Sequence, residues 1–119
     1  MPGPRLFVGP ADLRRTNYND TFIYYMLPRL QPATYFLEMN PGSANRPDSR
    51  LAKDIASADW LILNHGLDQW NEPNGSAKFA SDAPMRVVRD QFELCGRFRQ
   101  PRSLPPAPDN SKQTLSRNG

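Results

Sequence analysis

The sequence is poor in the residues that carry the commonest site chemistry: it has one cysteine and one histidine. Cys95 has no second cysteine to join in an internal disulfide, and one thiol alone makes no metal site. Cysteine usage therefore does not fix the redox compartment. Its neighbours Phe92 and Leu94 place Cys95 as a small buried residue near the end of a domain, with a reactive thiol as the alternative. Long apolar runs are also missing. No stretch approaches the roughly 20 residues that a membrane-spanning helix needs. The first residues contain only the short run Leu6–Val8, so no secretory signal is read and the chain is expected to be soluble as written. Without such a signal, the sequons Asn19-Asp20-Thr21 and Asn74-Gly75-Ser76 are read as chance.

Familiar nucleotide and hydrolase motifs are absent too. After Leu6–Val8 the chain reads Gly9-Pro10-Ala11-Asp12-Leu13, where proline would obstruct a backbone nest for pyrophosphate. Neither G-x-x-x-x-G-K-[ST] nor G-x-S-x-G occurs. No cofactor is implied.

What is present is proline and an uneven charge. There are 13 prolines and only 38% hydrophobic residues, a balance that predicts an unfolded portion. Residues 1–96 carry 10 Lys/Arg and 11 Asp/Glu, a net of −1. Residues 97–119 carry Arg97, Arg99, Arg102, Lys112 and Arg117 against Asp109, a net of +4. The positive charge thus belongs to the end of the chain. The nearly neutral remainder has no broad basic footprint, so specific nucleic-acid binding is not expected. The composition predicts one α/β domain over 1–100 and a disordered, basic, proline-rich tail over 101–119.

Within the domain, Leu6-Phe7-Val8 reads as a strand buried on both faces. Asn19 or Asp20 can cap a helix in which Phe22, Ile23, Met26 and Leu30 recur at helical spacing and Tyr25 widens the stripe. Pro28 should break its last turn near Met26 or Leu27. Thr34–Met39 is β-branched and aromatic and is the second predicted strand. A helix over Arg50–Ser57 buries Leu51 and Ile55 and leaves Lys53 and Asp54 to water. Trp60–Leu63 is the clearest buried strand. A long loop follows from Asn64 to Ser81. Asp82-Ala83-Pro84 starts a third helix with Met85, Val88 and Phe92 on its buried side. Glu93–Cys95 begins a possible fourth strand, with Gly96 as a turn and Arg97–Arg99 as part of a partner strand. This alternation predicts a small three-layer, Rossmann-like sandwich with a mostly parallel sheet of three to five strands.

In such sheets ligands gather beyond the carboxyl ends of the strands. That selects Gly9, Pro10 and Asp12, then Glu38 and Asn40, then Asn64, His65 and Asp68. His65 is a candidate general base with Asp68 or Glu72 to orient it. Glu38 with Asp68 is a candidate carboxylate pair for acid–base work or a hard metal. Tyr24, Tyr25, Trp60 and Trp70 are candidates for a sugar-stacking platform, though Trp60 is expected in the core and Trp70 is the better exposed contact. An open sheet edge that recruits a strand from another chain is a further possibility.

The runs Leu6-Phe7-Val8-Gly9-Pro10, Arg15-Thr16-Asn17-Tyr18-Asn19-Asp20-Thr21 and Tyr24-Tyr25-Met26-Leu27-Pro28 carry a resemblance. So do Pro32-Ala33-Thr34-Tyr35, Glu38-Met39 and the stretch from Leu51 through Asp54-Ile55 to Ala58-Asp59-Trp60-Leu61-Ile62-Leu63. Asp68-x-Trp70-Asn71-Glu72-Pro73-Asn74 and Asp82-Ala83-Pro84 extend it to about residue 95. The chain resembles the extracytoplasmic C-terminal region of actinobacterial polytopic membrane glycosyltransferases of the C superfamily, which use polyprenyl-phosphate sugars. The resemblance implies a soluble cap domain separated from its membrane part, placed on the extracytoplasmic face. It carries over no catalytic residue. It implies contact with a glycan acceptor or with the parent membrane enzyme, or structural support. Any contact surface is expected at the long loop Asn64–Ser81, with Asn64 and Trp70, and at the strand ends around Asn17, Asp20 and Glu38.

Overall fold

The computed structural model describes residues 3–14, 21–37, 43–65, 76–99 and 111–118. Its elements are β1 (Arg5–Pro10), α1 (Phe22–Met26), β2 (Gln31–Pro32), α2 (Leu51–Ala56), β3 (Trp60–Asn64), a 3-10 turn (Ser76–Phe79), α3 (Ala83–Gln91), β4 (Phe92–Arg99) and β5 (Ser111–Arg117). One five-stranded sheet runs in the order β2-β1-β3-β5-β4. The domain is therefore α/β, as its alternating pattern predicts.

β1 is the hub of the parallel half. It pairs in parallel with β2 on one side and with β3 on the other, Leu6 opposite Trp60 and Val8 opposite Ile62. Leu6, Phe7 and Val8 are all buried, because both faces of this strand are covered. Phe7 joins Leu61, Leu63, Leu51, Ile55, Val88 and Phe92 in the larger core, beneath α2 and α3. Leu6 and Val8 join Ile23 and Tyr24 of α1 on the opposite face. A Cβ on Gly9 would meet the Phe7 ring at 2.6 Å, so this ring can lie along the strand only because residue 9 is glycine.

The other half of the sheet corrects the expectation of a mostly parallel arrangement. β3 pairs with β5 over five residue pairs and β5 with β4 over seven, both antiparallel, against five and two for the parallel pairs. Residues 111–117 were expected in a disordered tail, yet they form β5, an interior strand with neighbours on both sides. Only Leu115 among its described side chains enters the core. The polar text Ser-Lys-Gln-Thr-Leu-Ser-Arg conceals the strand, because its place is secured by two hydrogen-bonded ladders rather than by apolar burial.

β2 is shorter and earlier than predicted. Thr34–Leu37 lies outside any strand, and Glu38 and Met39 fall outside the described residues. Two side chains account for this. The Thr34 hydroxyl and the Tyr35 N–H donate to Asp54 Oδ2 at 3.1 and 3.3 Å, drawing the chain off the sheet edge. The Val8 N–H, which a longer β2 would engage, donates instead to the Tyr24 hydroxyl at 2.9 Å.

Several burial expectations also change. Asp54 is buried, 4% exposed, rather than facing water. Trp60 is 39% exposed, because it shares the face of Leu6 and α1 is too short to reach across to it. In α1 only Ile23 and Tyr24 face the sheet; Phe22, Tyr25 and Met26 are exposed, since five residues cannot present a full helical stripe. Cys95 is exposed, with Sγ 2.9 Å from Ser116 Oγ. It sits where the register shifts between Leu94 and Gly96, and that irregularity turns it outward. Phe92–Arg99 is accordingly one strand rather than a strand, a turn and a fragment. Among the described residues, no helix is long and apolar enough to cross a membrane.

Candidate functional site

The chain leaves β1 in one direction to reach β2 and then passes back to β3 on the other side of β1. The carboxyl ends of β1 and β3 therefore flank a topological switch point, where the connections diverge and open a crevice. The Ala11 N–H donates to the Asn64 carbonyl at 2.9 Å, holding the two strand ends together at its floor.

A cleft of about 480 Å³ lies at this end of the sheet. It is lined by Ala11, Asp12 and Arg14 after β1, by His65 after β3, by Asp82 at the N-cap of α3, and by Met85 and Arg89 on that helix. These last three positions are spaced by three and four residues and share one side of the helix. Met85 Sδ accepts a weak hydrogen bond from the Leu13 N–H at 3.5 Å, tying the turn after β1 to that helix.

The charges in the cleft are organised in pairs. Arg14 Nε and Nη2 donate to Asp12 Oδ1 and Oδ2, both at 3.2 Å, a two-pronged fit. The hydrogen bond and the charge of Asp12 raise the Arg14 pKa above its ordinary value, with a smaller contribution from Asp82. Asp82 Oδ2 lies 3.4 Å from Arg86 Nε, one helical turn along α3. Asp82 does not cap the helix through its side chain; the Ser81 hydroxyl accepts from the Ala83 N–H at 3.0 Å.

Asn45 braces this arrangement from below. It is buried, and its Nδ2 donates to the Arg14 carbonyl at 2.8 Å. Its own carbonyl accepts from the Ser81 N–H at 3.2 Å. One residue thus couples the turn that carries Asp12 and Arg14 to the start of the helix that carries Asp82 and Arg89.

The sequence-predicted residues divide clearly. Asp12 and His65 come together in the cleft, and Asn64 is buried at the end of β3 beside it. Asn17, Asp20, Glu38, Asn40, Asp68, Trp70 and Glu72 lie outside the described residues. Tyr24 and Tyr25 line a separate hollow of about 250 Å³ with Thr21, Pro32 and Leu37, and Trp60 is not part of it. Arg14, Asn45, Met85 and Arg89 were not singled out as site residues by sequence. The available signal was the spacing of Asp82, Met85 and Arg89, but a helix face acquires meaning only when its neighbour is known. Among the described residues, no group of three His, Cys, Asp or Glu side chains could hold a metal ion.

No protein-family model, curated protein or solved structure matches the chain.

Proposed function

We propose that the chain is a noncatalytic binding module whose ligand occupies the cleft at the β1–β3 switch point. The observation that carries this reading is the convergence of two strand ends and one helix on a single polar crevice. Carboxylates of Asp12 and Asp82 accept hydrogen bonds, guanidinium groups donate them, and Met85 and Ala11 offer apolar surface between them. Vicinal hydroxyls on a sugar ring need that mixture of donors, acceptors and apolar contact. The reading agrees with the resemblance to a glycosyltransferase cap domain, for which contact with a glycan acceptor is the implied role. Titrating isotopically labelled protein with neutral mono- and oligosaccharides tests it by NMR. Shifts should concentrate at residues 11–14, 65 and 82–89. Shifts confined to other regions, or none across the panel, would refute the cleft as the binding site. Sugar release from a polyprenyl-phosphate sugar by the purified chain would refute the noncatalytic reading.

A second reading is supported by His65, which shares the cleft with Asp12 and Asp82. In it the chain is a small enzyme with His65 as general base. His65→Ala should then abolish an activity and leave the unfolding midpoint in place. A broad transferase and hydrolase screen without turnover removes this reading.

A further inference from the structure

We propose that the cleft selects a ligand bearing an anionic group, a carboxylate or a phosphate ester on a sugar-sized body, and that Arg89 receives that group. The proposal rests on the assignment of the cleft as the binding site.

The charges around the cleft wall pair off with one exception. Arg14 is engaged by Asp12 through two of its nitrogens. Asp82 is engaged by Arg86, one helical turn further along α3. Arg89 lines the cleft, and among the described residues no carboxylate pairs with it. Asp12 with Arg14 and Asp82 with Arg86 cancel, which leaves Arg89, among the described residues of the cleft, as a guanidinium without a carboxylate partner. A guanidinium presents a planar fork of donors that matches a carboxylate or phosphate.

Position along α3 adds orientation. Arg89 is seven residues beyond Asp82, about 10 Å at the helical rise per residue. Met85 lies between them on the same face. A ligand with its anionic group on Arg89 would lay its ring over Met85 and direct its hydroxyls toward Asp82, Asp12 and His65. A neutral sugar could use the far end of the cleft but would leave Arg89 without a partner.

The test compares glucose, glucuronate and glucose 6-phosphate by NMR titration at matched ionic strength, since exposed charges are screened by salt. At least one of the two anionic sugars should bind about tenfold more tightly than glucose, the gain expected of a charge-assisted hydrogen bond. Preference between the two distinguishes a carboxylate from a phosphate. Arg89→Gln should reduce the anionic sugar to the affinity of glucose, and Arg29→Gln should leave it within about twofold, because that exposed guanidinium lies before β2, at the opposite end of the sheet from the cleft. Equal binding of all three sugars in the cleft overturns this inference and leaves the binding module intact. Anionic preference that survives Arg89→Gln also overturns it. Failure of all three to shift cleft residues overturns the inference together with the binding-site assignment.

Discussion

The guanidinium of Arg117, on β5, lies 5.3 Å from the centre of the Phe92 ring, at the start of β4. Its Nη2 also donates to the carbonyls of Ala56 and, at 2.7 Å, Ala58. These carbonyls lie at the carboxyl end of α2, where partial negative charge collects. The Asn118 N–H donates to the Gln91 carbonyl at 2.8 Å, at the end of α3. The last two described residues thus join two helix ends to the sheet. Arg117→Ala should cost about 1–2 kcal/mol, from the lost hydrogen bonds and the cation–π contact. Lysine should restore only part of this, because it cannot stack and fork at once. Urea unfolding checks both: the midpoint should fall while the slope stays constant. An unchanged midpoint in Arg117→Ala would show that the latch contributes nothing.

Removal of residues 111–119 should abolish folding rather than trim an end. β5 separates β3 from β4, so its loss leaves two strands without a common neighbour. Leu115 would also leave the core. The truncated chain should lose NMR dispersion and its cooperative melting transition. Retention of a native-like spectrum would contradict the interior placement of β5.

Tyr24 should titrate late for a tyrosine. Burial pushes its hydroxyl up from 10.0 to about 12, and the hydrogen bond from the Val8 N–H opposes that rise. A folded-state pKa above the unfolded value means that the stabilising contribution is complete below about pH 10. As the pH climbs toward about 12, the unfolded chain gives up this proton first, so stability declines by about 1.4 kcal/mol per pH unit. Ultraviolet difference titration should show one delayed tyrosinate step that Tyr24→Phe removes. The same variant should cost about 1–2 kcal/mol at neutral pH through the lost acceptor for the Val8 N–H. A titration curve that Tyr24→Phe leaves unchanged near pH 12 would disprove the assignment.

Asp54 accepts hydrogen bonds from the Thr34 hydroxyl, the Tyr35 N–H and, at 3.0 Å, Arg50 Nε. Asp54→Ala should destabilise the fold by about 2–3 kcal/mol, because buried donors lose their acceptor. Thr34→Val should cost less alone, and little more when combined with Asp54→Ala, since both remove the same bond. A double-mutant cycle by thermal unfolding measures this coupling. Strict additivity would mean that the two side chains act independently.

The central parallel strands were legible in sequence for local reasons. Leu6–Val8 and Trp60–Leu63 are apolar runs bounded by residues that stop them, and Asp82-Ala83-Pro84 marks a helix start by backbone chemistry alone. Asp12 and His65 were legible as site candidates because they directly follow those strands. Arg14, Met85 and Arg89 were not, since they face the same cleft only through the packing of α3 beside the β1 and β3 ends.

What the amino-acid order determined by itself is therefore the short-range part: which segments are oily enough to be buried, where proline and glycine interrupt them, and which polar residues follow. Tertiary structure alone decided strand order, sheet edges and burial of particular side chains. β5 entered the interior of the sheet through backbone hydrogen bonds, which any non-proline sequence can make, so its polar side chains gave no sign of it. Trp60 stayed partly exposed and Asp54 was buried because those outcomes depend on what a distant segment places opposite them. Apolar content is a property of a segment, whereas enclosure is a property of its neighbours.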